Sequence, residues 1–171
     1  MIGDDTVIEK NTNLEIAAKL QAIFELSGAF VINTRVHDEA LGDRKRSDMA
    51  NRREIANTGN ADILISIHQN SFQDEGVRGA QVFYYSRSED SKRLAGCIQA
   101  EIKNFLQTSN HRESKADNSY YILKQTTIPA VIVECGFLSN PEERQNLANS
   151  EYQEKIAWSI YLGVLKYFDI L

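Results

Sequence analysis

Val131-Ile132-Val133-Glu134-Cys135-Gly136-Phe137-Leu138-Ser139-Asn140 carries an acidic side chain out of an apolar strand and into a glycine turn. Burial strips water from a carboxylate, so a glutamate at such a strand end is paired, metal-linked or tuned as an acid or base. Asp62-Ile63-Leu64-Ile65-Ser66-Ile67-His68-Gln69-Asn70-Ser71 has the same construction, an apolar strand that delivers an imidazole and then amide and hydroxyl groups into a loop. If the two strands are neighbours, His68 and Glu134 share one crevice at the strand ends, where open α/β sheets bind ligands.

Outward from these segments, helical and extended patterns alternate. This predicts a single three-layer α/β domain over residues 1–171, with a mostly parallel twisted sheet and helices on both faces. Thr12 and Glu15 read as a capping box ahead of the stripe Ile16, Leu20, Ile23 and Phe24, which ends at Gly28. Ala29 to Asn33 reads as a strand, the charged stretch from Asp38 to Asp48 as a solvated loop, and Met49 to Gly59 as a helix. Ala80 to Tyr85 reads as a further strand. Leu94, Ile98, Ile102, Phe105 and Leu106 mark an amphipathic helix with an acidic first turn. Ser109 to Ser119 is polar and loop-like, and Tyr120 to Leu123 and Ala130 to Glu134 read as short strands. Asn140-Pro141 starts a helix, and a final helix capped near Ser150 and Gln153 presents Ile156, Ile160, Val164 and Phe168 to the sheet, with Trp158 and Tyr161 as packing residues.

Composition narrows the function. The chain has 171 residues, 42% of them apolar, enough for one real core. A net charge of -5 and the lack of a basic stripe argue against a nucleic-acid partner. No stretch is long and apolar enough for a transmembrane span, and no basic-then-apolar leader opens the sequence. Cys97 and Cys135 form neither a metal-type cluster nor a disulfide framework.

Glu9, His68 and Glu134 are the groups that suit metal or acid/base chemistry. Imidazole and carboxylate are zinc donors, and a catalytic zinc commonly takes three protein ligands and leaves a position for water. An unligated glutamate alongside can move a proton to a departing amine. Simpler roles compete with these. Glu9 can merely favour a helix N-terminus, His68 can be a satisfied polar residue, and Glu134 can accept hydrogen bonds within its glycine turn. Arg35 and Arg52 can be structural or substrate-lining, pairing with acids such as Asp38 or Glu54. Cys135 invites a nucleophile reading with His68 as base, but neighbouring strand residues face opposite ways, and the charged Glu134 has the stronger reason to face the crevice.

Ile8-Glu9-Lys10, Asn13-Leu14, Thr34-Arg35, Arg52 with Glu54-Ile55-Ala56-Asn57, Ala61-Asp62, Ser66-Ile67-His68-Gln69-Asn70 and Pro129-Ala130 through Ser139-Asn140 appear in that order. The set resembles the zinc-dependent N-acetylmuramoyl-L-alanine amidases of the amidase 3 group over nearly the whole chain. Lys115-Ala116-Asp117-Asn118-Ser119-Tyr120-Tyr121 is similar to the sporulation cortex type. The resemblance implies hydrolysis of the amide between N-acetylmuramic acid and the L-alanine of the stem peptide. It implies Glu9 and His68 as zinc ligands, Glu134 as the catalytic glutamate, and peptidoglycan of the cell wall or spore cortex as the partner. It also implies an extracytoplasmic location and room for an accessory protein. In the family a histidine in a G-H-G-G turn, on a strand ahead of the E-K motif, is a third ligand. No such strand or histidine is found ahead of Glu9 here, and neither His37 nor His111 matches it. The expected consequence is an open hydrogen-bonding edge and an exposed apolar face. A non-catalytic peptidoglycan-binding or regulatory module with a degenerate metal site is the alternative, and a cysteine hydrolase using Cys135 is a further one.

Overall fold

The computed structural model describes residues 9–171; Ile8 of the E-K segment lies outside the described residues. Helices α1 (Glu9–Leu26) and α2 (Lys45–Thr58) precede β1 (Leu64–Asn70) and β2 (Gln81–Tyr84). Then come α3 (Glu89–Glu101), continued by a π-helical turn over Ile102–Leu106, β3 (Lys115–Ala116), α4 (Tyr121–Gln125), β4 (Ala130–Phe137), α5 (Pro141–Leu147) and α6 (Ser150–Tyr167). The sheet order is β1-β4-β2-β3. β1 runs parallel to β4 and β2 parallel to β3, while β2 runs antiparallel to β4. The sheet is therefore mixed, two of its three ladders being parallel.

β4 is buried at all eight positions, as expected of a central strand covered on both faces. Val131, Val133 and Cys135 face the larger core, which α1, α3 and α6 fill with Ile16, Leu20, Leu94, Ile98, Ile156 and Ile160. Ala130 and Ile132 face the other way, onto Ile122 and Leu123 of α4 and Phe83 of β2. Each fully buried isoleucine contributes roughly 1.5–3 kcal/mol of transfer free energy. α6 lies so close to α3 that a Cβ at Gly163 would stand 2.5 Å from the Ile98 Cα.

Several expectations need correction. Ala29 to Asn33 joins no ladder; Phe30 is 89% exposed and Ile32 40%. Among the described residues nothing pairs with the side of β1 away from β4, so a strand-prone sequence there has no neighbour to satisfy its backbone groups. An open trough of about 1100 Å³ separates this segment from β1, with Phe24, Val31, Ile32, Ile63, Ile65 and Val164 among its lining residues. Among the described residues this edge is unpaired and this face is open. Tyr120 to Leu123 is not a strand: Tyr120 caps α4, and adjacent Ile122 and Leu123 both enter one core, which a helical turn permits and a strand forbids. Thr12 is a buried residue inside α1 and not its cap. For α6 the cap is Asn149, whose side chain accepts from the Glu151 and Tyr152 amides, while Gln153 is buried. Asn140 caps α5 and Pro141 follows it, as expected.

Gly163→Ala is expected to destabilise the protein by about 1–3 kcal/mol, because the added methyl meets backbone. Urea denaturation followed by circular dichroism measures it, and an unchanged midpoint would contradict the α3/α6 packing.

Candidate active site

Parallel pairing of β1 and β4 sets His68 opposite Glu134, and antiparallel pairing of β2 sets Gln81 opposite the same glutamate. Directly opposed residues share a face, so His68, Glu134 and Gln81 form a row across one rim of the sheet. That face is the one Ala130, Ile132 and Phe83 occupy lower down.

Glu9 reaches this rim from the first turn of α1. Its Oε1 lies 3.2 Å from His68 Nδ1. Asn13, one helical turn on, donates from Nδ2 to the same oxygen at 3.3 Å, and Gln69 Nε2 donates to Asn13 Oδ1 at 3.2 Å. Ser66 Oγ sits 2.9 Å from His68 Nε2. Ser66 holds Nε2 and Nδ1 faces the Glu9 carboxylate; a metal shared by Nδ1 and Glu9 would replace the Nδ1 contact and leave Ser66 to orient the ring from its other nitrogen. The hydrogen bond with His68 holds the Glu9 carboxyl below its usual range, against the opposing effect of burial.

Glu134 is 7% exposed. Tyr120 Oη stands 3.5 Å from Oε1 in donor orientation, while Oε2 is buried without a partner. Burial is the main cause that pushes the Glu134 carboxyl above its usual range; the His68 ring opposes this and the Glu9 charge adds to it. Burial, and then the Glu134 charge, push the Tyr120 hydroxyl up to about 12, so it stays a donor. The glycine turn does not use Glu134 as its hydrogen-bond acceptor. Glu143 fills that role, accepting from the Phe137 amide at 2.7 Å and from the Gly79 amide at 2.9 Å.

The donor chemistry suits a zinc ion. Nitrogen and oxygen ligands about 2.0–2.1 Å from a tetrahedral zinc lie roughly 3.3 Å apart, close to the 3.2 Å between His68 and Glu9. Among the described residues no group of three or more His, Cys, Asp or Glu is placed to hold a metal ion together, so neither His37 nor His111 adds a third ligand to Glu9 and His68. Cys135 points into the core, 1% exposed, and burial raises its thiol far above the usual range, which leaves no nucleophilic thiolate. Arg52 pairs with Asp48 at 2.6 and 3.2 Å and with Thr34 Oγ1 at 3.0 Å, not with Asp38 or Glu54. Arg35 reaches the Lys10 carbonyl and stands 3.9 Å from Asp38. Both arginines fasten loops to helices. Ser66, Asn13 and Tyr120 were not singled out from the sequence. Ser66 had a signal in its position two residues before His68 on the same strand face, and Asn13 in its place in the motif series four residues after Glu9.

The sequence profile described as N-acetylmuramoyl-L-alanine amidase matches residues 1–166. A germination-specific N-acetylmuramoyl-L-alanine amidase from Bacillus subtilis is 35% identical over 170 residues, covering 95% of this chain and 71% of that protein. The CwlD amidase from Clostridioides difficile, solved in complex with the GerS lipoprotein, is 40% identical with a TM-score of 0.95, covering 100% of this chain and 92% of that one. The amidase AmiC2 of Nostoc punctiforme is 30% identical with a TM-score of 0.87, covering 99% and 89% respectively.

A carboxyl whose folded pKa is raised binds more protons in the native than in the unfolded state between the two values, so stability falls as pH rises through that window. Glu134→Gln removes this penalty. The variant is expected to melt above wild type at pH 7–8, with the gap closing toward pH 4. Scanning calorimetry across that range measures it, and a constant gap would show that burial of the charge is not the cause.

Proposed function

This chain belongs to the N-acetylmuramoyl-L-alanine amidase family, and from that premise we propose that Glu9 and His68 are zinc ligands and Glu134 the proton shuttle for hydrolysis of peptidoglycan. The bond cut is the amide between the lactyl group of N-acetylmuramic acid and the L-alanine of the stem peptide. The observation that carries the reading is the convergence at one rim: a carboxylate 3.2 Å from an imidazole that Ser66 holds at its other nitrogen, beside a buried glutamate with one unpartnered oxygen.

A neutral amide is a poor electrophile with a poor leaving group, and bound zinc supplies Lewis acidity and eases ionisation of water near neutral pH. Glu134 supplies the remainder. Its carboxylate takes a proton from the attacking water as the new C–O bond forms, then delivers it to the alanine nitrogen as the C–N bond breaks. A carboxyl raised by burial is suited to this exchange, because it holds and releases a proton closer to neutrality than a solvated one. Tyr120 donates to Oε1 and so helps to hold the carboxylate in place. Ser66 and Asn13 keep His68 and Glu9 in their orientations.

A third donor has a place to enter. Among the described residues the edge of β1 away from β4 is unpaired and runs to His68, so an extended segment laid along it would bring one more side chain to the same rim. An accessory protein is part of the reading too, since the C. difficile relative is found with a lipoprotein. Action outside the cytoplasm follows from the substrate. Among the described residues no helix is long and apolar enough to cross a membrane. A purely binding module would gain nothing from a buried glutamate with an unpaired oxygen, which disfavours that alternative.

Glu134→Gln is expected to lower release of stem peptides from purified muropeptides by about 10²–10⁴-fold while zinc content stays unchanged. His68→Ala is expected to lose zinc first, read by elemental analysis after dialysis. Zinc lost from the glutamine variant would make Glu134 a ligand, and full turnover in it would remove the shuttle role.

A further inference from the structure

Beyond Glu134 the row across the rim continues to Gln81 and then to Arg112. The Arg112 guanidinium is held by neutral groups: Nε donates to the Arg78 carbonyl at 2.9 Å, Nη1 to Gln81 Oε1 at 3.2 Å, and the ring of Phe137 lies 4.9 Å below it. Among the described residues no carboxylate lies within ion-pair distance of it, and Nη2 has no acceptor. The nearby acids are engaged. Glu142 pairs with Arg78 at 3.3 Å, Glu113 with Lys103 at 2.5 Å, and Glu143 takes two backbone amides in the glycine turn. Arg112 also lines an open cleft of about 690 Å³ with Arg78, His111, Glu142 and Glu143, a cleft that Gln81 and Glu134 do not line. The Arg112 charge acts on Glu143 without a direct ion pair; a cation fixed by two hydrogen bonds and an aromatic face, with no carboxylate bound to its fork, is prepared for a planar anion, because the side-chain entropy of ordering it is already spent.

We propose that Arg112, positioned by Gln81, the Arg78 carbonyl and Phe137, binds a carboxylate of the stem peptide and selects substrates that carry one near the scissile amide. The inference rests on the amidase reading and names the substrate feature that site recognises. Reach is consistent with it. Gln81 stands one strand spacing, about 5 Å, from Glu134, and the guanidinium touches the Gln81 tip. An extended peptide advances about 3.5 Å per residue, so a carboxylate on the second stem residue comes near Arg112 when the first peptide nitrogen is at Glu134.

The test uses two muramoyl dipeptides that differ only in the second residue, one with a free α-carboxylate and one with a carboxamide there. Their binding to the Glu134→Gln protein is measured by calorimetry, and their cleavage by wild type as kcat and KM. The carboxylate ligand is expected to bind about tenfold to a hundredfold tighter than the carboxamide. The preference should appear mainly in KM and should collapse in Arg112→Gln, which weakens carboxylate binding far more than carboxamide binding. Arg112→Lys, which keeps the charge without the fork, should retain part of it. Equal binding of the two ligands by the Glu134→Gln protein, with equal KM for wild type, overturns the subsite while leaving the amidase reading intact. An equal loss of both in Arg112→Gln assigns Arg112 a scaffold role and also overturns it. Failure of wild type to bind or cut either ligand overturns the amidase reading and the subsite together.

Discussion

The parallel ladder between β1 and β4 is the constraint on which the site depends. Its register places His68 beside Glu134. Because side chains alternate along a strand, a slip of one residue would turn the imidazole into the core and bring Ile67 to the rim. The apolar faces on either side of β4 prevent that slip, since Val131, Val133 and Cys135 have one core to fill and Ala130 and Ile132 another. Packing thereby determines chemistry. The residues that hold the register are buried in the two cores, and they decide which side chains converge at the rim.

Glu143 performs the second task. The glycine turn after Glu134 exposes backbone amides, and a nearby carboxylate could have served them at the cost of its own reactivity. Glu143 accepts from Gly79 and Phe137 in its place, and Glu134 is left buried with one oxygen unclaimed. An unsatisfied buried carboxylate destabilises the fold. Under the proposed shuttle role, the lost stability is exchanged for a group whose proton affinity is raised.

Much of this was legible in the sequence, for physical reasons. The two strand ends stood out because an ionisable residue closing an apolar run is costly to bury unless a partner, a metal or a proton-transfer role offsets its lost hydration. The opposition of Glu134 and Cys135 followed from strand periodicity alone. The parts that escaped depended on neighbours far away in sequence. Ala29 to Asn33 has strand composition, but composition cannot supply a pairing partner. Tyr120 to Leu123 is too short for its apolar residues to distinguish helix from strand. Tyr120 came to Glu134 through the end of α4, and Arg112 came to Gln81 through the loop before β3, so neither contact had a local signature.

The account stands on Glu9 and His68 sharing one zinc ion beside a glutamate that does not bind it. Zinc-edge X-ray absorption on the loaded protein reads this directly. The predicted spectrum shows imidazole scattering at a nitrogen or oxygen distance of about 2.0–2.1 Å, weakened in His68→Ala and unchanged in Glu134→Gln. Identical imidazole scattering in wild type and His68→Ala would place the metal elsewhere and contradict the account.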